Sequence, residues 1–156
     1  MYHLGMIHHY GKLGYERSQS RATELWRKAA VLGSVHSVQN LGLIYFQQDV
    51  NKGCLYWSMA AMKGDAKSRH NLGGVESGEG NHELAVQHFL ISSSFGFKES
   101  VDAVKMMFKN GQASKDQFAK ALKVYQKAIQ EMKSPQREEA NRLSVGFLKA
   151  RKCNHQ

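Results

Sequence analysis

Eight histidines and two cysteines are the side chains of this sequence best suited to metal binding or nucleophilic catalysis. Their spacing argues against both. His8 and His9 are adjacent, so on a helix they point about 100° apart and cannot face one ligand. No H-E-x-x-H pair or other metal-ligand spacing occurs. His82 and His88 stand six residues apart, on poorly matched faces of one expected helix, and His70 falls on another. Cys54 becomes a nucleophile only with a base beside it and a lowered pKa. It stands close to a small-residue position on its helix, which points to packing. Cys54 and Cys153 together build neither a disulfide framework nor a four-ligand zinc site. Gly73-Gly74 and Gly78-x-Gly80 read as scattered glycines of a loosened helix and its loop, with no lysine to make a phosphate cradle. The expectation is a chain with no catalytic residue, no metal site and no cofactor.

One pattern of charge could do binding chemistry. Lys120, Lys123 and Lys127 recur at steps of three and four, and Lys149, Arg151 and Lys152 follow near the end. Such a stripe could neutralise phosphates of a nucleic acid or another polyanion. It lacks the interleaved aromatics that stack on bases. The competing reading is the solvated outer face of terminal helices.

The composition supports a folded, non-membrane chain. It has 156 residues, 42% hydrophobic and 22% charged, with 22 basic and 13 acidic side chains. No apolar run approaches a membrane span, and the first residues lack the order of a signal peptide. With few cysteines, this favours a cytoplasmic location. Of the net charge of +9, residues 1–114 carry +3 and residues 115–156 carry +6.

The elements that must position these residues come from a repeat. LWRKAAVLG at 25–33, YWSMAAMKG at 56–64 and HFLISSSFG at 88–96 align on Trp26, Trp57 and Phe89, on a small pair, and on a closing glycine. A weaker copy has Tyr125 as the aromatic and Ala128 in the small slot; the aromatic steps are 31, 32 and 36 residues. A small residue precedes each aromatic by four: Ala22, Gly53, Ala85 and Ala121. Eight residues after Gly33 and after Gly64 come Leu41-Gly42 and Leu72-Gly73. Leu4-Gly5 is the same feature, and Val104-Lys105 is the copy that has lost its glycine.

The reading is a helix-turn-helix unit. Helix A carries the Leu-Gly pair and lets a neighbour approach at the bare glycine. Helix B carries the aromatic, whose ring fills the gap left by the small residue one turn earlier. The closing glycine suits a left-handed C-terminal cap. Expected helices run roughly over 1–10, 20–32, 35–47, 51–63, 66–77, 82–95, 98–110, 115–133 and 136–150. Ser114-Lys115-Asp116-Gln117 predicts a capping box, Asn81 a cap for the helix of Phe89, and Ser134-Pro135 a further helix start. Nothing alternates with the period of a strand.

These residues resemble the Sel1-like repeat, a relative of the tetratricopeptide repeat. The resemblance covers about residues 1–130 and is strongest over 22–96. It implies an all-α fold, an α-α superhelix or solenoid of about four helix-turn-helix repeats with a C-terminal capping helix. The units are expected at about 1–33, 34–64, 65–96 and 97–133, with a capping helix and tail over 134–156 that turns Ala140, Leu143, Phe147 and Leu148 inward. The steps of 31 and 32 residues demand tight loops inside the second and third units, whereas the first loop, around Gly11–Ser20, is six residues longer. A stacked array needs covered ends. Met1 already falls inside a helix A, so the sequence is expected to be part of a longer array.

The resemblance further implies an adaptor or scaffold without catalysis, binding a protein or peptide partner on the concave face lined by the A helices. The positions that map there are Tyr2, Met6, His9 and Tyr10 in the first unit, and His36, Gln39, Leu43, Phe46 and Gln47 in the second. Lys67, His70 and Ser77 follow in the third, and Glu99, Asp102, Met106 and Lys109 in the fourth. Such a groove could hold an extended peptide or a helix. Polyanion binding at the basic end is the alternative.

Overall fold

The structure, a computed structural model, describes residues 1–133 and Arg142. The described residues form eight helices and no strand: α1 (Tyr2–Tyr10), α2 (Gln19–Val31), α3 (Val35–Phe46), α4 (Val50–Met62), α5 (Ala66–Gly78), α6 (His82–Ser94), α7 (Lys98–Lys109) and α8 (Lys115–Met132). Each expected helix before residue 134 is present. The helix expected over 136–150, with Ala140, Leu143, Phe147 and Leu148, lies outside the described residues, as do Ser134-Pro135.

Local chemistry sets the helix starts. The side chains of Ser18, Ser34, Asp49 and Asp65 accept from the backbone N–H three residues on, occupying one of the free donors of each first turn. Ser114 and Gln117 complete the capping box: Gln117 N donates to Ser114 Oγ at 3.1 Å, and Ser114 N donates to Gln117 Oε1 at 2.7 Å. Asn81 does not cap α6. Its amide instead donates to Glu76 Oε2 at 2.9 Å, across the turn.

The helix ends share one device. Gly33, Gly64 and Gly96 take φ of 89°, 87° and 80°, which reverses the chain after α2, α4 and α6. The residue after each glycine donates back to Ala29 O, Ala60 O and Ser92 O at 3.0, 3.1 and 3.3 Å. The acceptors are the first members of the three small pairs, so those pairs serve the turn as well as the packing. Only three residues separate α3 from α4 and α5 from α6, which makes α3–α4 and α5–α6 antiparallel pairs.

The aromatic rings have a second neighbour that the sequence reading did not give. Trp26 and Phe89 share a core cluster with Ala22 and Ala85, the small residues one turn earlier in helix B. Each ring also lies against the glycine of helix A. A Cβ on Gly5 would come 2.4 Å from Trp26 Nε1, one on Gly42 2.4 Å from Trp57 Cδ1, and one on Gly73 2.8 Å from Phe89 Cε1. Both indoles are tied down: Trp26 Nε1 donates to Tyr2 O and Trp57 Nε1 to Gln39 O, each at 3.2 Å. Gly53, the small residue of α4, faces the α3 backbone; a Cβ there would meet Phe46 Cα at 2.6 Å.

The last pair departs from this plan. Lys105 replaces the glycine, so α7 offers no seat for a ring, and Tyr125 is only half-buried. α8 packs against both α6 and α7. Its Ala121, fully buried, joins Ala85, Val86, Phe89, Val104 and Met107 in one cluster. The C-terminal end of α8 returns to the α6–α7 turn, where Met132 and Ile129 stand against Gly96.

Candidate functional site

The A helices run in one sense because every B helix between them reverses the chain. His36 at the start of α3 lies 3.8 Å from Asp65 at the start of α5, which sets these two helices side by side. Between them opens a groove of about 510 Å³, lined by Leu43, Phe46, Val50, Trp57, His70, Asn71, Gly74, Val75, Gly78 and Glu79. Its floor is the Trp57 ring, 4% exposed, with Phe46 tilted against it at 4.8 Å between centroids. Its α5 wall is bare at two successive turns, since a Cβ on Gly74 or Gly78 would meet nothing within 4 Å.

Three of the sequence-predicted positions meet in this groove: Leu43, Phe46 and His70. Leu43 is exposed, and Phe46 is half-buried with its body on Trp57. His70 is half-buried between the Phe89 and Phe97 rings, and its Nδ1 lies 2.8 Å from Ser100 Oγ. Burial holds the His70 imidazole below its ordinary pKa, against the opposing pull of Glu99.

The other predicted positions fall outside it. Gln39 is a correction: it is 5% exposed, lies under the chain and lends its carbonyl to Trp57. Tyr2 and Met6 pack against the Trp26 cluster, and His9 leans on the Trp26 ring at 5.3 Å. Those three are half-buried packing residues. His36 is exposed beside Asp65 and the Tyr2 ring. Gln47, Lys67 and Met106 are exposed, and exposed Asp102 pairs with Lys98 at 2.8 Å. Lys120, Lys123 and Lys127 are exposed on α8, with Lys127 3.8 Å from Glu131. Lys149, Arg151 and Lys152 lie outside the described residues.

Sequence reading missed Val50, Trp57, Asn71, Gly74, Val75, Gly78 and Glu79. A signal existed for Gly74. It stands two residues after Leu72, in the register of Leu43 after Leu41 and Met106 after Val104. The glycines at 73 and 74 are not marks of a loosened helix, because α5 runs unbroken to Gly78. Gly73 seats a ring and Gly74 opens the groove.

The groove offers contact surface and little reactive chemistry. Cys54 packs beside Trp57 and Leu72. Burial, with help from Glu79 and Glu76, pushes its thiol above the ordinary pKa, away from the reactive thiolate. No group of three or more His, Cys, Asp or Glu among the described residues could hold a metal ion. No helix of the described residues is long and apolar enough to cross a membrane.

The family model of the Sel1 repeat matches residues 1–34 and 39–65. Among solved structures, the chain is similar to a protective antigen of uropathogenic Escherichia coli strains that displays an SLR fold. The TM-score is 0.64 at 19% identity, over 99% of this chain and 40% of that one. The chain therefore spans less than half the length of that protein. No curated protein matches the sequence. The matched segments are similar to Sel1 repeats, and the described residues share the all-α repeat fold of that antigen. Proteins of this repeat are generally non-catalytic scaffolds that bind other proteins.

Proposed function

We propose that this chain is a non-catalytic protein-binding module that holds a partner segment in the groove between α3 and α5. The observation that carries this reading is the groove itself. It is mostly apolar, bordered by exposed Leu43 and by the bare Gly74–Gly78 strip of α5. Binding pockets are generally concave and apolar with a few placed polar groups. Here Asn71, His70 and Glu79 supply those groups. The bare strip lets a partner side chain or backbone come close to α5. Fold alone does not establish a site, so the reading rests on this local geometry.

The test is partner capture with groove variants that keep the fold. Leu43→Asp and Gly74→Leu both change exposed positions, and each is expected to abolish capture while helical circular dichroism stays unchanged. Capture that survives both changes, and is lost on charge reversal at Lys120, Lys123 and Lys127, would move the site to the outer face of α8.

A further inference from the structure

We infer that the segment held in the α3–α5 groove is apolar and carries a cation, a Lys or Arg side chain or an amino terminus, at the end beside Glu79. This rests on the groove being the docking site and adds the chemistry of its occupant. The whole chain is basic, with a net charge of +9, yet this groove is not. Glu79 is the one lining residue with a carboxylate, and no lysine or arginine lines the groove. Glu76, three residues earlier on α5, adds a second carboxylate beside the groove, where the Asn81 amide donates to it at 2.9 Å; both carboxylates bear on Cys54.

The backbone acts in the same direction. α3 and α5 run in one sense, so both C-termini end near Val50 and Glu79. A helix C-terminus carries roughly half a negative charge on its unpaired carbonyls, which a cation in the last turn would offset. Neither α3 nor α5 has a basic residue in its last turn, whereas α7 has Lys109. Lys52, in the first turn of α4, does not serve: its ammonium lies over the Tyr45 ring at 4.1 Å from the centroid. Burial lowers the pKa of His70, the remaining titratable group of the lining, and so disfavours its charged form. The groove thus has an apolar floor and a negative end, with no lysine or arginine among its described lining residues.

The probes are three fluorescein-labelled synthetic peptides that share one leucine–phenylalanine core. The core is flanked on one side by two lysines, two serines or two glutamates. Fluorescence polarisation is read against the full chain at low and at physiological salt. The lysine peptide is expected to bind about five- to tenfold tighter than the serine peptide, and the glutamate peptide weakest, with the gap narrowing as salt rises. In the E76Q/E79Q variant the lysine and serine peptides are expected to bind within about twofold of each other, because the dipole contribution remains but the carboxylates are gone. Equal binding of the lysine and serine peptides to the native chain, both blocked by Gly74→Leu, would overturn this inference and leave the groove standing. A lysine preference that stays at about fivefold or more in E76Q/E79Q would also overturn it. No binding of any peptide, or binding that Gly74→Leu leaves intact, would overturn both readings.

Discussion

The seating of each ring on a helix A glycine makes a sharp prediction about alanine. In an exposed helix, glycine to alanine stabilises by about 1 kcal/mol, because alanine loses less backbone freedom on folding. Gly74→Ala should show this gain alone, since its Cβ would meet nothing within 4 Å. At Gly42 the new Cβ would lie 2.4 Å from Trp57 Cδ1 and 2.6 Å from Nε1, so the indole must move by about an ångström. The ring has no free direction. It is 4% exposed, Phe46 lies against it, and its N–H is committed to Gln39 O at 3.2 Å. Overpacking of this kind costs about 1–3 kcal/mol, and straining the indole hydrogen bond adds about 1 kcal/mol. After the propensity gain, Gly42→Ala should be destabilised by about 1–3 kcal/mol, opposite in sign to Gly74→Ala. Urea unfolding followed by circular dichroism at 222 nm measures both. Thermal melts should move in opposite directions, by about 3 °C for each kcal/mol. If Gly42→Ala were as stabilising as Gly74→Ala, the ring would not sit where the structure places it, and the account of the Leu-Gly pair would fail.

Three further outcomes follow from the same packing. Trp57→Ala should cost about 3–5 kcal/mol, enough to melt a short array, and a near-native melting curve would refute the register. Burial lowers the pKa of His70 from 6.5, so the unfolded chain takes up its proton first as pH falls. Its contribution to stability is complete above about pH 6.5 and is lost as pH drops from there through the folded pKa; His70→Gln should flatten that stretch of the stability–pH curve, measured by urea midpoints. Cys54, with its thiol pushed up by burial, should alkylate with iodoacetamide more slowly at pH 8 than free cysteine, as peptide mass spectrometry would read, and faster labelling would contradict the packing.

Much of this molecule is legible in one sequence because its information is local and repeated. Caps at Ser18, Ser34, Asp49, Asp65 and Ser114, reversing glycines at 33, 64 and 96, and rings at 26, 57 and 89 recur in step. Hydrogen bonds over a few residues determine helix starts and ends, so those positions can be read without knowing the neighbours. Asn81 shows the limit: its type suits a cap, but Glu76 across the turn takes its amide.

Only the tertiary structure decided which glycine seats a ring and which opens a groove. Gly73 and Gly74 are adjacent and chemically identical, yet on a helix they face about 100° apart, one toward Phe89 and one toward empty space. It likewise buried Gln39 and drew Trp57, Val50 and Glu79 from other elements to the same hollow. A repeat register says which positions are equivalent along the chain. What each position faces depends on how consecutive helices cross, and that is settled by side chains on other helices, as Trp26 meets Gly5, Trp57 meets Gly42 and Phe89 meets Gly73.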